Sequence, residues 1–314
     1  MAIAKKRDPL HTEILLESGT NELEIMEFTI AGGSFGINVA KVTEIMQYQT
    51  VKPMPNSHPS VEGVFMPRDV ILTVIDLAHY MGLPAAEDNS RDMFIITSFN
   101  KMNVAFHVHA VAEIHRISWN DIEKPDSTIY GGEEGLATGI AKVAGNKLIT
   151  IVDFEKIVVD ISPQVGIQMS EITELGHRER SAKPVCLAED SPLLKKMLLE
   201  ALTTAGYTNI KAYNNGEEAW NHLEMIRDDI MASGEHLAEK IAVMITDIEM
   251  PKMDGHRLTK LIKDDRILRD VPVIIFSSLI DDAMRDKGHR LGASAQLSKP
   301  EIGNLVTTLD QFIL

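Results

Sequence analysis

Four places in this 314-residue chain put a reactive polar side chain just after an apolar run. The run Ile241-Ala242-Val243-Met244-Ile245 leads through Thr246 to Asp247, with Met250-Pro251 and Asp254-Gly255 close behind. Lys183 to Leu187 leads to Glu189 and Asp190, Val271 to Phe276 ends in Ser277, and Ala295 to Ser298 ends in Lys299-Pro300. Brought to one place, three carboxylates repel one another and require a cation. All-oxygen ligands with room for water suit Mg²⁺. An ammonium and a hydroxyl beside that ion are what a phosphoryl group on Asp247 needs to neutralise and orient its oxygens.

The elements that must do the positioning follow from the runs themselves. Continuous Val/Ile-rich stretches bounded by turn residues read as strands buried on both faces of a parallel sheet. Ligands of open α/β sheets collect outside the carboxyl ends of the strands, where all four places fall. A lone strand-end aspartate more often caps the next helix; convergence is what argues for chemistry.

In order and type these elements resemble the response-regulator receiver domain, over residues 183–314. The resemblance implies a doubly wound, flavodoxin-like α/β fold with five parallel strands. It implies Asp247 as phospho-acceptor, with Ser277 and Lys299 contacting the phosphoryl group. Glu189, Asp190, Asp247 and the backbone carbonyl of Glu249 would then hold Mg²⁺. Two departures stand out. Gln296 occupies the position of the usual switch aromatic, and the stretch from Arg227 to Lys240 is longer than receivers carry before their third strand. That stretch is expected to form an extended helix or loop away from the site.

Composition narrows the rest. A length of 314 residues suits two domains. A net charge of −15 argues against nucleic-acid partners, because phosphate binding needs a basic face. No apolar stretch is long enough to span a bilayer, and the N-terminus lacks the apolar core of a secretory signal, so direct membrane insertion is not expected. The single cysteine, Cys186, excludes an internal disulfide framework and fits a reducing cytoplasm. Inside the first strand of the α/β half it reads as a small buried apolar residue.

The first half follows a different rhythm. After a leader over residues 1–21, containing a short amphipathic segment around Ile14-Leu15-Leu16, short strands alternate with turns. Leu23, Ile25, Phe28 and Ile30 make one run, closed by Gly32-Gly33, and Phe35 to Val39 begins its hairpin partner. Val42 to Met46 is expected to be a short helical piece. The prolines at 53, 55 and 59 mark an irregular connection. Further strands are expected at Val61 to Phe65, Val70 to Leu77, Met93 to Ser98, Val104 to Val108, Val111 to Ile114, Leu136 to Val143 and Lys147 to Val152, with Gly131-Gly132 in a connection. This is the pattern of an all-β sandwich or barrel. No catalytic motif assembles here. His107 and His109 lie two apart in a strand, with His115 further on, but no carboxylate or cysteine at fixed spacing completes a metal set. They are expected to be solvated surface histidines.

Glu27-Phe28-Thr29-Ile30, Ser34 to Val39, Val42-x-Glu44-Ile45, Pro53-x-Pro55, Val61-Glu62-Gly63-Val64, Arg68 and Ile75-Asp76-Leu77 resemble a CheW-like chemotaxis coupling domain, over residues 22–161. That resemblance implies paired small five-stranded barrels, with Val42, Glu44, Gly63 and Arg68 contacting kinase or receptor. The turn Met66-Pro67-Arg68-Asp69 departs from the family's Asn-Leu-Arg-Gly. Residues 162–182 are expected to be a hinge or short helical linker.

A coupling domain followed by a receiver is the layout of CheV-type chemotaxis proteins. The resemblance implies a cytoplasmic adaptor between the cytoplasmic tips of transmembrane chemoreceptors and a chemotaxis histidine kinase, recruited to receptor arrays. It would be regulated by Mg²⁺-dependent phosphorylation at Asp247, with no enzymatic activity beyond its own phosphorylation and dephosphorylation. The alternative is a phosphate sink that drains the kinase, its coupling domain serving only to localise it. A transcription factor is not expected, since the chain is acidic and no helix-turn-helix follows the receiver.

Overall fold

The first strand, β1 (Glu22–Ile30), turns into β2 (Gly33–Asn38) through Ala31 and Gly32, both at positive φ (48° and 79°). That backbone matches the twist of a two-residue hairpin. The computed structural model describes residues 22–313 except 87, 100–101, 124–134, 279 and 281. The expected leader and the Gly131-Gly132 connection lie outside the described residues. The chain divides after Gly166 into two units, described in turn.

In the first unit the hairpin is followed by β3 (Val42–Gln47), β4 (Val61–Phe65), β5 (Leu72–Asp76), α1 (Leu77–Tyr80), β6 (Met93–Phe99), β7 (Met102–Val108), β8 (Ala110–Ser118), β9 (Ile122–Glu123), β10 (Ala137–Val143), β11 (Lys147–Val152) and α2 (Phe154–Ile161). Two sheets result, ordered β8-β1-β2-β11-β10-β9 and β3-β6-β7-β5-β4. Each has a core of its own. Ile25, Ile117, Ala141 and Ile149 fill the first, and Phe65, Val74, Phe94 and Ala105 the second. A third core, with Phe28, Phe106 and Phe154 at its centre, joins them beneath α2. Five strands were expected per sheet; the two-residue β9, too short to leave a periodic signal, makes six in the first.

One expectation fails here. Val42 to Met46 is not helical but belongs to β3, paired antiparallel with β6. Its side chains alternate between half-buried and exposed, a period of two, and Val42, Thr43 and Ile45 are β-branched, which favours a pleated backbone.

The second unit begins before the expected end of the linker. Helix α3 (Met169–Glu174) sends Ile172, together with Ile167 just ahead of it, into the core of the α/β unit. There follow β12 (Val185–Ala188), α4 (Pro192–Thr204), β13 (Ile210–Tyr213), α5 (Gly216–Ser233), α6 (Leu237–Lys240), β14 (Val243–Thr246), α7 (Gly255–Asp264), β15 (Val273–Ser277), α8 (Asp282–Arg290), β16 (Ala295–Ser298) and α9 (Ile302–Ile313). The strands are all parallel, in the order β13-β12-β14-β15-β16, the flavodoxin-like arrangement. Apolar cores lie on both faces, so β12, β14 and β15 are buried along their whole length. Cys186 is among those core residues, and burial pushes its thiol up to about 11. The long stretch before β14 becomes the extended α5, stopped by Gly234 at φ 73°, and the one-turn α6.

Candidate functional site: an acidic pocket at the carboxyl edge of the sheet

Because β12 and β14 are neighbours, with their helices leaving in opposite directions along the strand order, the crevice between their ends is the switch point of the sheet. Glu189 and Asp190 follow β12 and Asp247 follows β14. One carboxylate oxygen from each lies within 4.8 Å of the others. The lysine after β16 closes the group: Lys299 Nζ lies 2.7 Å from Glu189 Oε2 and 2.8 Å from Asp247 Oδ2. Glu189, Asp247 and Lys299 are 1%, 6% and 2% exposed, so these charges meet with little water between them. Burial, ahead of the opposing Lys299 ammonium, raises the Glu189 carboxyl well above the usual carboxylate range, and the neighbouring Asp247 and Asp190 carboxylates add to it. A buried acidic group of this kind, all oxygen and with an excess of negative charge, fits a hard divalent cation.

Local chemistry sets each member. The Ile248 amide donates to Asp247 Oδ1 at 2.6 Å, and the Ser191 amide to Glu189 Oε1 at 3.1 Å. Ser191 caps α4 ahead of Pro192 at its first position, a pairing that starts a helix sharply. Asp254 caps α7 in the same way. Gly255 then lets the loop fold back on the site, since a Cβ there would stand 1.9 Å from the Asp247 carbonyl oxygen. Ser277 ends β15, buried, and its carbonyl accepts from the Lys299 amide at 3.1 Å. Glu249 sits half-buried two residues beyond Asp247. Sequence reasoning overlooked Lys195, whose ammonium reaches the Asn214 side-chain oxygen at 2.5 Å and the Glu189 carbonyl at 3.4 Å. A lysine four residues into an amphipathic helix carries no signal of that kind.

Gln296 is held rather than free to swing. Its amide nitrogen donates to the Arg285 carbonyl at 2.7 Å, and its side-chain oxygen fills the space left by Gly288, where a Cβ would stand 2.3 Å away.

In the first unit the four expected contact residues have distinct settings. Arg68, largely exposed, pairs with Glu44 of β3 at 2.7 Å. Val42 is half-buried against the central core. Gly63 has φ 148°, and a Cβ there would stand 2.2 Å from the Lys52 carbonyl oxygen. The Lys52–Val64 bridge therefore needs glycine whatever else touches it. Arg68 and Asp69 both take positive φ (51° and 69°), so the turn keeps a backbone that glycine adopts freely.

The histidines correct the expectation of solvated side chains. His107 is 8% exposed and lies between two carboxylates, Nδ1 3.0 Å from Glu62 and Nε2 2.8 Å from Asp92. Tyr48 extends the chain by donating to the other Glu62 oxygen at 2.5 Å. Burial lowers the His107 pKa, but the two carboxylates outweigh it and the net shift is upward. His115 is 2.9 Å from the fully buried Glu27, which Lys147 also pairs at 2.5 Å. Glu27, Glu113 and His115 come within 4.8 Å, but Lys147 already supplies the positive charge. His109 Nδ1 accepts from the Ala31 amide at the hairpin turn.

Comparison with known proteins agrees with both halves. The chain matches the CheW-like domain over residues 24–162 and the response regulator receiver domain over residues 185–310. Chemotaxis protein CheV3 of Helicobacter pylori is 34% identical over 291 residues, covering 89% of this chain and 91% of that protein.

The chain belongs to the CheV family.

Chemotaxis protein CheV1 of the same organism is 23% identical over 313 residues, covering 93% of this chain and 94% of that one. Among solved structures, the scaffolding protein TtCheW of Thermoanaerobacter tengcongensis aligns with 42% of this chain and 89% of its own, at 26% identity and a TM-score of 0.39. As a CheV-type protein, the chain joins a CheW-like domain to a receiver. No helix among the described residues is long and apolar enough to cross a membrane.

Proposed function

We propose that this protein is a chemotaxis adaptor that couples chemoreceptors to a histidine kinase and is regulated by phosphorylation of Asp247. The observation that carries the regulation is the Lys299 ammonium shared by Asp247 and Glu189, with Asp190 completing a carboxylate group around it. In the transfer, an Asp247 carboxylate oxygen bonds to phosphorus as the phosphorus–nitrogen bond of the kinase phosphohistidine breaks. The electron pair stays on the imidazole nitrogen, which takes up a proton. Asp247 is already an anion, so the chain contributes position and charge rather than a base. Glu189, Asp190, Asp247 and the Glu249 carbonyl are the residues to hold Mg²⁺, which when bound offsets the charge of the phosphoryl oxygens. Lys299 pairs with one phosphoryl oxygen and Ser277 donates to another. The chain promotes only its own phosphorylation and dephosphorylation.

The CheW-like unit supplies the partner surface, through the region of Val42, Glu44, Gly63 and Arg68. Its work is in the cytoplasm, at receptor arrays. The test is a binding titration of the full chain against the kinase and a receptor fragment, with and without beryllofluoride and Mg²⁺. A shift in either affinity supports the regulated adaptor; tight binding with no shift supports the sink; no binding overturns the adaptor reading. Independently, Asp247→Asn abolishes labelling by phosphorylated kinase, and stoichiometric labelling of that variant refutes the acceptor assignment.

A further inference from the structure

The segment joining the two units is tied to the site at its far end. Glu171, on α3, accepts a hydrogen bond from the Gly303 amide at 2.9 Å. That amide belongs to the first turn of α9, where backbone N–H groups have no partner within the helix and the helix dipole favours a carboxylate. Gly303 lets the two helices meet this closely, since a Cβ there would lie 3.1 Å from Glu171 Oε2. Ile172 beside it is buried among Ile302, Leu305 and Leu309 of α9 and Leu198 of α4. Between α9 and the site there is almost no chain. Ile302 comes three residues after Lys299, and the turn is braced by the Glu301 amide on the Ser298 carbonyl at 2.8 Å.

We infer that Glu171 makes α3 a strap whose docking on α9 responds to the phosphoryl state of Asp247. This rests on Asp247 being the acceptor. With Asp247 unmodified, Lys299 is drawn down between Asp247 and Glu189, and the first turn of α9 is held where Gly303 meets Glu171. A phosphoryl group on Asp247 moves the negative charge outward and adds about one unit to it. Lys299 follows that charge, and the short turn carries Glu301 to Gly303 along. A hydrogen bond of 2.9 Å is lost within a displacement of less than about 1 Å. Deprived of it, the six-residue α3 keeps only the packing of Ile167 and Ile172, and a helix that short opens more readily. Release of α3 lengthens the connection between receiver and coupling domain. The downstream part of the segment stays anchored, because Arg178 pairs with Asp310 and Tyr207 donates to the same carboxylate at 2.6 Å. The strap therefore opens over residues 167–175 and not beyond.

Hydrogen exchange on the full chain, with and without beryllofluoride and Mg²⁺, tests this. Peptides over residues 170–175 should exchange about tenfold faster with beryllofluoride, while those over 178–183 do not change. In Glu171→Leu, which keeps the bulk but has no acceptor for the Gly303 amide, residues 170–175 should exchange fast from the start and respond less than about twofold, with exchange in β12 and the end of α9 as in the parent chain. Protection gained around Asp247 and Lys299 with no change or slowing at 170–175 overturns the strap and leaves the acceptor reading standing. No response anywhere overturns both.

Discussion

Lys299 reaches back 52 residues to set its ammonium 2.8 Å from Asp247 Oδ2, with Glu189 Oε2 at 2.7 Å on its other side. One buried cation thus holds two carboxylates that repel each other. Removing it in Lys299→Ala leaves Asp247 uncompensated and pushes the Glu189 carboxyl further up, and the receiver is expected to lose about 3 kcal/mol at neutral pH. Mg²⁺ should restore part of that, so the rise in Tm on adding Mg²⁺ is larger for Lys299→Ala than for the parent chain. An equal rise in both would mean that the cation does not enter the carboxylate group.

His107 gives the coupling domain a pH dependence of definite sign. Its folded pKa is raised above the ordinary 6.5 by Glu62 and Asp92, against the opposing effect of burial. The stabilisation is therefore fully present below about 6.5 and is lost as pH rises through the folded value. Unfolding monitored between about pH 6 and 9 should show this loss in the parent chain and not in His107→Gln. His107→Ala, which strands two carboxylates, should cost about 3 kcal/mol near neutrality.

Gly63 and Gly32 separate backbone strain from collision. Both take positive φ, but a Cβ at Gly32 meets nothing within 4 Å, whereas at Gly63 it meets the Lys52 backbone at 2.2 Å. Gly32→Ala should cost about 1 kcal/mol and Gly63→Ala more than about 3 kcal/mol, read from denaturant midpoints. Comparable losses would show that the Lys52–Val64 bridge yields easily.

Gly288 and Gln296 should prove coupled. Within α8, Gly288→Ala gains about 1 kcal/mol of helix propensity. It also drives the Gln296 amide out, forfeiting the bond to the Arg285 carbonyl, worth about 1 kcal/mol. The single change should be near neutral, and the same change in a Gln296→Ala background clearly stabilising. A double-mutant cycle measures the difference, expected at about 1–2 kcal/mol. Additivity would mean that the glutamine side chain already spends its time elsewhere.

The features legible in the sequence were those that neighbouring residues decide. A Val/Ile run ending at Asp247, the Ser191-Pro192 helix start and the Asp254-Gly255 turn are local chemistry, and their order along the chain names the α/β sheet and the carboxylates at its edge. The alternating runs around β1 and β2 likewise announce the β half. What remained hidden depends on partners far along the chain. Val42 to Met46 could be a short helix until β6 supplies its ladder. His107 is a surface histidine by spacing alone, and becomes a buried ion-pair centre only when Glu62, 45 residues away, and Asp92 fold against it. Residues 167–175 read as linker because one short amphipathic turn has no stability of its own; docking on α9 orders it, through a bond between residues 132 apart. Sequence determined which groups stand at the strand ends, since strand and turn formation are governed by adjacent residues. Tertiary structure alone decided which charges are buried together and which segment is strapped down, because burial and long-range pairing exist only once the chain has closed on itself.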